Sequence, residues 1–123
     1  MKRPRLMWPP IDVAWLAGFW EGEGYITLNK NSLFLGANQV TREPLDRIRA
    51  IIRTGNVYGP RTNKSKTTRQ PIYEYMAWNF QAVQQAIILM WPHLSKRRKE
   101  QIKLKTTAFQ KRWKENKHHA NKS

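Results

Sequence analysis

The chain is expected to fold as an α+β domain, with helices packed on one antiparallel sheet in the order helix-strand-strand-helix-strand-strand-helix-helix. Three observations lead there. Apolar residues recur at helical spacing in separate segments, pairs of short alternating segments lie between them, and the helix-strand-strand order occurs twice, as an internal duplication would leave it. With 123 residues, 40% hydrophobic and 11% aromatic, the chain suits one domain with a modest core and not a disordered tail.

Residues 1–10 are basic and proline-rich, lack the apolar stretch of a signal peptide, and read as a flexible arm. Asp12 can cap a first helix carrying Trp15, Leu16, Phe19 and Trp20, which breaks at Gly22-Glu23-Gly24. Residues 24–29 alternate as a strand, Asn31 and Ser32 turn, and residues 33–40 return as its hairpin partner. Thr41 can cap a second helix running from residue 42 or 43 to 53, where Leu45, Ile48, Ile51 and Ile52 form an apolar stripe and Gly55 ends it. Residues 55–61 and 71–80 read as the second strand pair, separated by the polar, basic loop 62–69. A third helix over 81–91 carries Val83, Ile87, Met90 and Trp91 and stops at Pro92. A fourth starts near Ser95, with Ile102, Phe109 and Trp113 on its apolar stripe. The domain is expected to span 11–115, followed by a polar tail over 116–123.

Charge narrows the partner. Lys and Arg number 23 against eight acids, a formal net charge of +15, which points to nucleic acid ahead of an anionic membrane. The absence of cysteine excludes disulfides and thiolate metal sites, and His93, His118 and His119 lack the spacing of a zinc site. The longest apolar run, 86–91, is far too short to span a bilayer, so a soluble intracellular protein without a membrane partner is expected.

Against that background the acids of the first helix stand out. Ala14, Gly18 and Gly22 share one helix face and would let two copies approach backbone to backbone. The last turn then ends at the contact. Its unpaired carbonyls and Glu23 make a negative pole that suits a hard cation. A glycine C-cap with solvated glutamates is the plainer reading of Glu21-Gly22-Glu23-Gly24. So basic a chain favours instead a carboxylate that holds a cation against a polyanion.

Residues Leu16 to Gly24, LAGFWEGEG, resemble the nine-residue LAGLIDADG motif of homing endonucleases, with identity at its first three positions and its last. Pro92-His93-Leu94 and the basic residues after Ser95 resemble a later segment of that family, and Gln39-Val40-Thr41 resembles the strand end before its second helix. The resemblance covers most of residues 11–112. It implies an αββαββα domain with a twisted four-stranded DNA-binding sheet and, here, an additional basic C-terminal helix. It also implies site-specific double-strand cleavage of a long, (pseudo)palindromic DNA target by Mg²⁺-dependent phosphodiester hydrolysis, with Mn²⁺ as a substitute, and a mobile intron as a source of the reading frame.

By the same resemblance Glu23, at the eighth motif position, is the essential carboxylate and metal ligand, and the carbonyl of Gly22 is a further ligand. The family's basic residue at the start of the fourth helix matches Arg97, with Lys96 next. Arg42 stands where the family often has a polar residue that holds the attacking water, a departure that bears on cleavage. Glu21 reads as a helix-end or interface residue. With only one motif in the chain, two subunits must pair to serve both DNA strands, so a homodimer is implied with Ala14, Gly18 and Gly22 at its interface.

The sheet is the expected DNA reader, since a twisted antiparallel ribbon fits the major groove and presents alternate residues to base edges. Ile26 and Leu28 read as core residues, which leaves Tyr25, Thr27 and Asn29 outward, and Gln39 is taken as outward in the second strand. In the last strand Met76, Trp78 and Phe80 read as inward, leaving Tyr73, Tyr75 and Asn79 outward. Arg61, Lys64, Lys66 and Arg69 are expected to hold phosphates. So is the fourth helix, where ten of the 23 basic residues lie between 96 and 117.

Two other functions fit parts of the pattern. A binding-only protein of the same fold, an intron RNA maturase or a DNA-binding regulator, would keep the basic surface and lose the eighth-position acid, whereas Glu23 is present. A basic RNA-binding module of ribosomal type would explain the charge but not the glycine-acid turn, and paired aromatic RNP motifs or a GXXG loop are not evident.

Overall fold

The computed structural model describes residues 8–62 and 70–122, with residues 117–122 as backbone only. Lys64, Lys66, Arg69, His118, His119 and residues 1–7 of the basic arm therefore lie outside the described residues or side chains.

Helix α1 (Pro10–Glu23) leads into the hairpin of β1 (Gly24–Asn29) and β2 (Ser32–Gln39). Helix α2 (Glu43–Ile52) leads into β3 (Asn56–Arg61) and β4 (Ile72–Ala77), and α3 (Phe80–Met90), a 3₁₀ turn (Trp91–His93) and α4 (Lys96–Lys122) complete the chain. The sheet has four strands in the order β1-β2-β4-β3, each pair antiparallel. The α+β class and the element order are those expected from the sequence.

Local physics moves several boundaries. Pro9 takes the N-cap position of α1 and Pro10 the first helical one, where a missing N–H costs nothing, while Asp12 sits inside the first turn and faces Arg47 at 3.8 Å. Arg42, not Thr41, is the N-cap residue of α2, without a side-chain cap bond. Arg53 closes α2 in the left-handed conformation, φ 74°, ahead of Gly55. Helix α4 runs on to Lys122, through the segment that composition suggests as a polar tail.

One face of the sheet carries the core. Ile26, Leu33, Leu35, Ala37, Tyr75 and Ala77 point into it and meet Leu16, Ala17 and Trp20 of α1, Leu45, Ile48 and Ile52 of α2, and Val83, Ala86 and Met90 of α3. Leu94 and Ile102 dock the start of α4 onto the same cluster.

The register of β4 is opposite to the one its pattern suggests. Tyr75 stands opposite Ala37, and its ring is wholly buried with the hydroxyl donating to the Thr54 carbonyl at 2.8 Å. Tyr73 packs on the core from the same face, and Gln39, its partner in β2, shares that face with Leu33, Leu35 and Ala37. Tyr73, Tyr75 and Gln39 therefore do not face outward. The misleading signal was the run Met76, Trp78, Phe80. The strand ends at Ala77, Trp78 and Phe80 lie beyond it at 51% and 39% exposure, and Gly55, at φ 90°, leaves the room that the Tyr75 ring fills. Asn79 lies beyond the strand, and its side chain caps α3 by accepting from the Ala82 N–H at 2.8 Å.

Tyr75→Phe separates the two placements. Loss of the buried hydroxyl bond should lower unfolding free energy by about 1 kcal/mol in urea titration, with the Thr54 carbonyl left unpaired and DNA affinity unchanged.

Candidate active site and nucleic-acid interface

Glu23 is the last residue of α1 and Gly24 the first of β1, so the carboxylate projects from the junction where helix becomes sheet. The junction is tight. The Trp20 indole lies where a side chain on Gly24 would begin, which restricts the ninth motif position to glycine. Glu23 is exposed and makes no hydrogen bond or ion pair with any described residue.

The end of α1 is held from α4. Arg98 is buried, at 6% exposure, and its guanidinium donates from Nη2 to the carbonyls of Trp20 (3.3 Å), Glu21 (3.1 Å) and Gly24 (2.8 Å), and from Nε to Glu21 (3.2 Å). It lies over the Trp20 ring at 4.4 Å, and Nη1 donates to Gln101 at 2.7 Å. Burial, with Arg97 adding to it, lowers the pKa of Arg98, and the nearby Glu21 carboxylate opposes the shift. Arg98 takes the carbonyls on either side of Gly22 and leaves that of Gly22 out of its set.

Glu21 completes the junction in the other direction. Its carboxylate accepts from the Ser95 N–H at 2.9 Å and the Ser95 hydroxyl at 2.7 Å, at the positive end of α4, while Ser95 Oγ accepts from the Arg98 N–H at 3.2 Å. The Ser95 hydrogen bonds hold the Glu21 carboxyl below its usual range against opposing desolvation, with Arg98 and Arg97 adding to the effect.

Arg97 is the more exposed neighbour, 3.9 Å from Glu21, and Lys96 is exposed beside it. The motif end and the start of α4 thus come together as the sequence suggests, with Arg97 beside the Glu21 carboxylate and Arg98 on the backbone carbonyls of the helix end. One signal could have found it. Arg98 precedes Ile102 by one helical turn on the stripe that continues to Phe109, so it belongs to the buried face. Arg42 follows β2 beyond Ala37, the partner of Gly24, and its Nε donates to both Asp46 oxygens at 3.2 and 3.1 Å.

Ala14, Gly18 and Gly22 form an exposed strip along α1, and a β-carbon added at Gly18 or Gly22 would meet nothing within 4 Å. Nothing in the described residues requires these glycines. Trp15 and Phe19 stack beside them at 5.3 Å, with the Arg47 guanidinium over Trp15 at 4.1 Å.

The face of the sheet away from the core bears Tyr25, Thr27 and Asn29 of β1, as expected, and Phe34, Asn38, Glu74 and Met76. Tyr25 crosses β2 to reach β4: its ring passes over Gly36, where a β-carbon would lie 2.6 Å from the hydroxyl, and that hydroxyl donates to Glu74 Oε2. Burial, and then the bond to Glu74, raise the Tyr25 pKa. Arg61 Nη1 donates to Glu74 Oε1 at 3.0 Å. Helix α4 runs beside β1, and Arg112 donates to the Lys30 carbonyl at the hairpin tip. No helix of the described residues is long and apolar enough to cross a membrane.

Comparison with protein-family models and with curated proteins gives no match. Solved structures do match. The homing endonuclease I-CvuI in complex with its target aligns at a TM-score of 0.58 and 22% identity over 81% of this chain and 64% of that one. The group I intron-encoded homing endonuclease I-CeuI complexed with DNA aligns at 0.64 and 12% identity over 87% of this chain and 57% of that one. The LAGLIDADG meganuclease I-AabMI bound to uncleaved DNA aligns at 0.63 and 23% identity over 89% of this chain and 39% of that one. The chain has the LAGLIDADG homing-endonuclease fold, and it spans less than two thirds of the length of each of these structures.

Two measurements test the junction. Arg98→Met should lower stability by at least about 2 kcal/mol because the α1 carbonyls lose their donors, and Arg98→Lys should recover only part, since an ammonium cannot serve the same set of acceptors. The Glu21 pKa is depressed on folding, so its contribution is complete above the unfolded value, about 4.3, and lost as pH falls through the lower folded value. Urea midpoints should therefore fall less steeply between about pH 6 and about pH 3 in Glu21→Gln than in wild type.

Proposed function

We propose that the protein is a site-specific DNA endonuclease that acts as a homodimer, each subunit supplying one Glu23 to cut one strand of a (pseudo)palindromic duplex. The observation that carries this reading is Glu23 itself: an exposed carboxylate with no partner among the described residues, on a helix whose neighbouring strip of Ala14, Gly18 and Gly22 is bare. Among the described residues no three acids or histidines cluster. A single chain therefore offers half of a site, and pairing along the small-residue strip would bring the two halves together at the two-fold axis.

The donor set fits Mg²⁺, with Mn²⁺ as a substitute. Glu23 offers carboxylate oxygens and Gly22 a carbonyl outside the Arg98 set, all hard oxygen donors. A bound Mg²⁺ would neutralise the phosphate and make water a better nucleophile. The chain's own residues supply the rest: Arg98 and Glu21 hold the helix end rigid, Arg97 and Lys96 offer positive charge beside it, and the Tyr25, Thr27 and Asn29 face meets the groove. The fold shared with DNA-bound homing endonucleases supports this reading. So does the net charge of +15, which suits a phosphate backbone.

Glu23→Gln should reduce cleavage of a selected site by about 1,000-fold or more, equivalent to ~4 kcal/mol, and leave specific binding intact. Wild-type rates in that variant would remove Glu23 from the chemistry. A wild type that binds its site and cuts no DNA with Mg²⁺ or Mn²⁺ would favour a binding-only maturase or regulator. Gly18→Leu should convert the dimer to monomer in analytical ultracentrifugation, since side chains of that size would separate the two helices. An unchanged dimer would remove this interface.

A further inference from the structure

Glu74 is the only carboxylate in the four strands, and it stands near the middle of the face assigned to DNA. An acid there repels the phosphates of any duplex that lands on the sheet. Stability does not explain it, because an ion pair whose arginine is 53% exposed contributes little to folding. Its two oxygens are divided: Oε2 accepts from Tyr25, which reaches it across Gly36, and Oε1 accepts from Arg61 Nη1. Arg61 is held from a second side by the Tyr58 ring, 5.2 Å from the guanidinium. All four strands contribute to this array, β2 through the side-chain-free crossing at Gly36.

We propose that Glu74 is a specificity-determining residue that orients Arg61 to read guanine in a G·C pair, in place of the phosphate contact that the sequence suggests for Arg61. The proposal rests on the reading of this face as the DNA contact. Glu74 occupies Nη1, while Nε and Nη2 hydrogen-bond no described residue. That free edge is the planar fork that matches guanine O6 and N7. Holding the fork in place before DNA arrives removes ordering cost from the bound state.

The test is binding selection from a randomised-site duplex library with the full-length protein in Ca²⁺, followed by sequencing and by salt titration of the selected site. Wild type should show a guanine preference that Arg61→Lys lowers by about 10-fold or more at one symmetric pair of positions, with the slope of affinity against salt unchanged because the charge remains. Glu74→Gln should weaken preference at those same positions by several fold, and the double variant should be no worse there than Arg61→Lys alone. Arg61→Lys alters an exposed side chain, so it tests the proposal even if Glu74→Gln fails to fold. An unchanged preference in Arg61→Lys would overturn the proposal, as would a Glu74→Gln variant that binds every sequence more tightly by one common factor. A wild type that enriches no sequence at all would instead overturn the functional reading beneath it.

Discussion

The reciprocal capping of α1 and α4 is the constraint on which the rest of the molecule depends. A helix ends with carbonyls that have no partners and with the negative pole of its dipole, and the end of α1 is also where the chain must turn into β1. Water alone would leave that end free to fray. Arg98 fills it with a guanidinium that meets three carbonyls and stacks on Trp20, while Glu21 of α1 returns the contact to the positive start of α4. Each helix supplies the counter-charge for the other. Glu23 is the next acid along, and its direction is set by a backbone pinned on both sides of Gly22.

A buried arginine is costly unless its donors are satisfied and its charge is opposed. Here the carbonyl cluster and the negative helix end perform both functions without a direct carboxylate bond, and that leaves Glu23 unengaged. Had Glu23 paired with Arg98, it would be spent as a structural acid. The nearby carboxylate assigned to structure is Glu21, which frees Glu23 and explains why two acids lie so close together in a chain with only eight.

The sheet divides its faces by side-chain size. Gly55, between α2 and β3, admits the Tyr75 ring on the helix side, and Gly36 admits the Tyr25 ring on the other. The space of each absent side chain is thus filled by a tyrosine. The consequence on the outer face is an ordered polar array through Glu74, where a row of independently mobile side chains would otherwise face solvent.

Sequence alone determined the α+β class, the order of elements, the inward Ile26 and Leu28, and the small-residue strip with Glu23 at its end. Each is a local pattern: helical periodicity, strict alternation, or a motif in consecutive residues. What tertiary structure decided were the choices with two locally equal answers. The face of β4 depended on its pairing with β2, which sets Tyr75 opposite Ala37, and β2 and β4 are far apart in the chain. Among Lys96, Arg97 and Arg98, helical spacing from Ile102 marks Arg98 as the buried one, but only the angle at which α4 meets α1 brings it to the carbonyls and leaves the more exposed Arg97 beside Glu21. Likewise Glu74 reads as an ordinary strand residue until pairing brings Tyr25 and Arg61 to it from other strands. Local order follows from neighbours in sequence, whereas the partners of a charged group follow from which surfaces the fold brings together.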